Sequence, residues 1–200
     1  MPIFKDSHEL IEAAVGLTAA RLSALERDVN HCLQEPFAPL PAIAYCFATI
    51  DLMGALYKGD AGRYAKTTDQ SFGYMIDFMH YTQDQAEILQ LVFRHKIVHL
   101  AMPKAVISFK SMTIAWKYYH ENRIEHLRLV KFPTTQVLAV IPSSLSISYD
   151  YEFRLGIKDL QVDIANSVVN PRGYLDVLKG NPSLQQKFEK ALVEMYDPNQ

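Results

Sequence analysis

The stretch Thr82–Pro103, TQDQAEILQLVFRHKIVHLAMP, combines a helix start, a long apolar face, a run of basic and titratable residues and a proline stop. Thr82 and Gln85 have the spacing of a capping box, in which each side chain satisfies a backbone N–H left open by the first turn. Ala86, Leu89, Phe93 and Leu100 fall on one side of the helical wheel, and Glu87 and Arg94 fall on the opposite side. Pro103 disfavours helical geometry at Met102, so the helix is expected to end close to His99. The reading is a core helix whose last turn carries Arg94, His95, Lys96 and His99.

Upstream, Asp6 and Glu9 make a second capping box ahead of Leu10, Ile11, Ala14, Leu17, Leu22 and Leu25, which predicts a helix to about Cys32. Pro36, Pro39 and Pro41 form a rigid connection, with Pro41 suited to a first helical position. Ala42–Tyr57 reads as a nearly continuous apolar core helix with Asp51 inside it. That carboxylate is either an exposed residue on the less buried edge or a group that holds Arg94 or His99 in position. Lys58–Lys66 is a polar loop, and Thr67 or Thr68 is expected to cap a third helix containing Phe72, Met75, Ile76 and Met79.

After Pro103 the period changes from helical to alternating. Ile114, Trp116 and Tyr118 share one strand face while Thr113, Ala115, Lys117 and Tyr119 take the other. His120–Arg123 reads as a hairpin turn into a return strand through Leu127 and Leu129. Tyr149, Tyr151, Phe153 and Leu155 alternate as a third strand, and helical spacing resumes at Leu160, Val162, Ile164 and Val168. Asn181 and Pro182 start a final helix through Leu184, Phe188, Leu192 and Met195. These readings predict a mainly α fold. Residues 1–103 are expected to form an antiparallel helical bundle, and 104–200 a β-hairpin or small antiparallel sheet followed by C-terminal helices, packed on the bundle as one unit.

The composition is 49% hydrophobic and 21% charged, with a net charge of −2, which argues against strong sequence-independent binding to nucleic acid. Charge is nevertheless uneven: between Lys104 and Lys131 six basic residues face two acids, formally +4, leaving −6 for the remainder. On its own that stripe reads as a solvated strand face whose lysines guard an edge. Asp51 interrupts the longest apolar run, so no membrane span is expected. The start, MPIFKDSHEL, lacks the pattern of a signal peptide, and two widely spaced cysteines suit a reducing interior, so a cytoplasmic location is expected.

Three chemistries compete for RHKIVH. In the first, Arg94 and His99 form an arginine–histidine pair separated by four residues. Over roughly the first hundred residues, the chain resembles the HEPN family (higher eukaryotes and prokaryotes nucleotide-binding domains), and LQLVFRHKIVHLAMPK is similar to the motif helix of its stand-alone bacterial members. The resemblance implies a metal-independent endoribonuclease or RNA-binding domain without a cofactor, built at a homodimer interface, with Arg94 and His99 catalytic and His95 and Lys96 as auxiliary phosphate contacts. Asparagine often follows the arginine in that family, whereas His95 stands here. Ala101 occupies the place of the tyrosine found in members paired with a nucleotidyltransferase antitoxin, so that mode of regulation is not expected. On a straight helix Arg94 and His99 are about 140° apart, so a shared site needs a loosened helix or a second subunit.

The second chemistry pairs His95 and His99, four apart on one helix face, as metal ligands, with His80, His120 or His126 as a third. Lys96 stands where a zinc-peptidase HExxH motif needs glutamate, which removes that enzyme class. No metal is therefore assigned. In the third reading, the segment is structural, His99 is a core residue, and the protein is a non-catalytic interaction or regulatory module. Trp116, Tyr118 and Tyr119, interleaved with Lys110 and Lys117, then either pack the sheet or offer a stacking surface for single-stranded nucleic acid.

Overall fold

The computed structural model describes residues 3–94, 104–140 and 145–197. Helix α1 (Ser7–Cys32) starts where Asp6 accepts a hydrogen bond from the Glu9 amide at 2.9 Å. Glu9 reaches back to the amide of Lys5, so the expected box closes one residue early. Helix α2 (Pro39–Lys58) begins at Pro39, not Pro41, and stops at Gly59, whose φ of 74° makes a left-handed cap. Ile43, Cys46, Phe47, Ile50 and Met53 bury its central turns.

By length and composition alone, α2 is apolar enough to cross a membrane despite Asp51. More than half of its apolar stretch is buried inside the fold, as in a core helix. Helix α3 (Thr67–Asp77) packs closely on α2. Its threonines do not cap it, because Lys66 takes the cap position without a side-chain bond. Helix α4 (Gln83–Leu89) opens on the expected box, with Gln85 N to Thr82 Oγ1 at 3.3 Å and Thr82 N to Gln85 Oε1 at 2.9 Å. It then widens into a π-helical turn over Gln90–Arg94.

The second half departs from the expected architecture. Four strands form one mixed sheet: β1 (Val106–Phe109), β2 (Met112–Tyr119), β3 (Leu129–Val140) and β4 (Leu145–Gly156), in the order β1-β2-β4-β3. The return strand does not pair with β2. Instead β4 lies between them, parallel to β2 with Trp116 opposite Phe153, and antiparallel to β3. Phe153 and Leu155 are buried, as a central strand requires. The equally long but more exposed β3 takes the edge, where its register slips between Lys131 and Gln136, around Pro133.

Helix α5 (Ile157–Val169) leaves β4 directly and packs on α2, followed by α6 (Tyr174–Gly180) and α7 (Pro182–Tyr196). Asn181 caps α7 through the Leu184 amide at 3.0 Å. Because α1, α3, α5 and α7 all contact α2, one buried cluster runs from Leu10 through Ile107 and Phe153 to Leu192. The fold is therefore a mixed α/β arrangement with a four-stranded mixed sheet, and the mainly α bundle with a small antiparallel appendage is incorrect. Alternation identifies a strand but not its neighbour, and the neighbour decides parallel or antiparallel.

Candidate functional site

Arg94 is the predicted catalytic residue that falls among the described residues. It does not sit on the solvent side with Glu87 but is only 8% exposed. The π turn explains the difference. One extra residue in the turn leaves Leu91 outside, at 39% exposure, and carries Arg94 inward with Phe93.

Arg94 Nε donates to Asp51 Oδ1 at 2.8 Å and Oδ2 at 3.2 Å. Its Nη1 donates to Thr68 Oγ1 at 2.8 Å and its Nη2 to Thr67 Oγ1 at 2.7 Å. Gln90, one turn earlier, donates to the Thr68 carbonyl at 2.8 Å, so the start of α3 is held at two levels. Gly54 makes this approach possible. A Cβ there would lie 2.7 Å from the Gln70 carbonyl carbon and 2.8 Å from the Ser71 nitrogen.

A guanidinium has five N–H groups, and the bonds above use one on each nitrogen. One N–H on each Nη is left without a partner among the described residues, and two guanidinium N–H groups are what a phosphate's paired oxygens accept from. The Asp51 carboxylate balances the buried charge and fixes the plane of the fork.

His95, Lys96 and His99 lie outside the described residues, as do the expected helix end near His99 and Pro103. The histidines considered as a third metal ligand go separate ways: His80 is exposed, His120 packs on Phe37, and the His126 side chain is tucked in beside Asp163. Among the described residues no group of three or more His, Cys, Asp or Glu is placed to hold a metal ion. The basic stripe is partly neutralised. Lys110 pairs with Asp84 at 2.6 Å, Arg123 with Asp163 at 2.5 Å and Arg128 with Glu125 at 2.7 Å.

A second polar cluster escaped the sequence reading. Asp163 accepts from Tyr81 Oη at 2.9 Å and from Arg123, and pairs with His126 Nε2 at 3.1 Å. The Gly156 amide donates to His126 Nδ1 at 3.1 Å, which leaves the proton on Nε2 to face the carboxylate. A polar cavity of about 310 Å³ opens beside it, lined in part by His80, Arg123, Asn166 and Asn170. The signal available in the sequence was an aspartate inside the apolar run Leu160–Val168; its partners are too distant along the chain to be read from spacing.

Burial alone would push the Asp163 carboxyl up, but the bonds from His126, Arg123 and Tyr81 together hold it below the usual carboxylate range. A carboxyl depressed in the folded state stabilises the fold above its unfolded value of about 3.9, and that contribution disappears as pH falls through the folded value. Asp163→Asn is therefore expected to be less stable than wild type at pH 7, with the gap closing below about pH 4. Urea midpoints measured from pH 7 to pH 3 check this, and a gap constant across the range overturns it. Compared with family models, curated proteins and solved structures, the chain matches none.

Proposed function

We propose that this protein is a HEPN-like, metal-independent endoribonuclease that acts as a homodimer, with Arg94 and His99 of each subunit at the shared site. What supports the reading is the bracing of Arg94: a buried guanidinium fixed by Asp51, Thr67 and Thr68, with one N–H of each Nη left over. A fork held in this way needs no reordering to bind a phosphate, and such preorganisation is where electrostatic catalysis gains most.

In the proposed reaction, neutral His99 takes the proton from a ribose 2′-hydroxyl. The 2′ oxygen bonds to phosphorus, the bond from phosphorus to the 5′ oxygen breaks, and an imidazolium returns a proton to that leaving oxygen. Arg94 stabilises the charge on the five-coordinate phosphorus, His95 and Lys96 assist at the phosphate, and the product ends in a 2′,3′-cyclic phosphate.

The second reading, a non-catalytic interaction or regulatory module, is favoured by the same residue's low exposure. On that reading Arg94 only ties α2, α3 and the π turn together, and His99 is structural. Labelled single-stranded RNA incubated with wild type, His99→Ala and Arg94→Lys in EDTA separates the two. Cleavage by wild type to cyclic-phosphate ends, reduced to background in His99→Ala at an unchanged melting temperature, is the expected result. Absence of cleavage by wild type, or full activity in His99→Ala, overturns the ribonuclease reading.

A further inference from the structure

The face of β2 that carries Trp116 and Tyr118 continues into a groove of about 450 Å³, whose other wall comes from Phe37 in the connection between α1 and α2 and from Pro39 and Pro41 in the first turn of α2. Trp116 and Tyr118 lie nearly parallel, with ring centroids 5.9 Å apart and planes 25° apart. Tyr118 is 38% exposed and Phe37 54% exposed, so large aromatic surfaces stand open here. Phe37 is itself held edge-on by His120, at 4.5 Å between centroids.

The electrostatics select among occupants. No acidic side chain is among the described residues lining the groove. Pro39 and Pro41 belong to the first turn of α2, which has no acidic residue and no side-chain cap, so no carboxylate neutralises the positive end of the helix dipole there, although the two prolines themselves offer no N–H. Lys104, whose carbonyl accepts the Trp116 indole N–H at 2.5 Å, adds a cation one residue from the lining. An aromatic floor with a positive margin suits a ligand that is a flat ring joined to an anion.

We propose that this groove binds an unpaired base of single-stranded RNA, stacked on Trp116 and Tyr118, with the adjoining phosphate drawn toward Lys104 and the start of α2. The choice of RNA rests on the ribonuclease reading. Phe93, the neighbour of Arg94 in sequence, meets the Trp116 ring edge-on at 5.3 Å, so the aromatic floor of the groove packs on the π turn that carries the braced guanidinium. Because the indole N–H is already bonded to Lys104, recognition is through the ring face and not through base edges. The site therefore takes any base and favours the larger purine rings.

Trp116 is the one tryptophan in the chain, so its fluorescence reports on the groove directly. Full-length protein is titrated with oligoadenylate carrying 2′-O-methyl groups, which cannot be cleaved through the 2′ oxygen. Saturable quenching is expected, weakened roughly 5- to 140-fold in Tyr118→Ala and in Phe37→Ala and retained in Tyr118→Phe. A proline-rich peptide is titrated in parallel, and quenching by the peptide but not by the oligonucleotide overturns the proposal. RNA cleavage without quenching overturns the groove and leaves the ribonuclease reading standing. Quenching that depends on Tyr118, in a protein that cleaves nothing, keeps the groove and removes the ribonuclease reading.

Discussion

Asp51→Ala is expected to lower the free energy of unfolding by about 3 kcal/mol, at the lower end of what breaking a buried ion pair costs. The Arg94 side chain is 9% exposed and that of Asp51 24%, so the charge left behind has little access to water. Thr67 and Thr68 still accept from its Nη atoms, but hydroxyl oxygens do not neutralise it. For a chain of this length the loss corresponds to a melting temperature lower by roughly 6 to 12 °C.

The double variant Asp51→Leu with Arg94→Met removes both charges, and is expected to recover most of the loss, because desolvating the pair offsets much of its attraction. Urea denaturation of the two single variants and the double variant measures the coupling. A loss below about 1 kcal/mol in Asp51→Ala would place the pair among solvated surface bridges, and with it would go the view that Arg94 is rigidly held.

Gly54→Ala is expected to cost about 3 kcal/mol, at the upper end of what one added methyl does to a packed interface. The colliding atoms are the backbone of Gln70 and Ser71, which cannot rotate away as a side chain would, so α3 has to shift as a body. Since Thr67 and Thr68 start that helix, the same methyl loosens the hold on Arg94. Gly16→Ala is the internal control: nothing lies within 4 Å of a Cβ there, and alanine in mid-helix is expected to stabilise α1 by about 0.5 to 1 kcal/mol. Equal effects at the two glycines would contradict the close approach of α2 and α3.

Three helix starts were legible because their causes are local. Thr82 with Gln85, Asp6 with Glu9, and Asn181 before Pro182 each announce a first turn within four residues, and each forms a side-chain cap. Strand β1 was missed for an equally local reason. Its turn to β2 uses Lys110 and Ser111 at φ of 44° and 64°, a conformation that the sequence normally signals with asparagine or glycine. The polar half of the site was harder. Asp51 and Arg94 stood out as charges in apolar runs, and a carboxylate positioning Arg94 was one of two readings of Asp51. Thr67 and Thr68, by contrast, looked like caps and became hydrogen-bond acceptors for a residue 26 or 27 positions away.

Periodicity and capping by themselves determined where most helices and strands lie, several of the residues that α1 and α7 turn to the core, and that the region around Arg94 is chemically unusual. Tertiary structure alone decided that β4 inserts between β2 and β3, that a π turn swings Arg94 inward, and that His126 and Tyr81 converge on Asp163. The reason is range: a cap or a wheel is set by neighbours within a turn or two. A strand's partner and the enclosure of a guanidinium depend instead on surfaces that exist only after distant segments have packed.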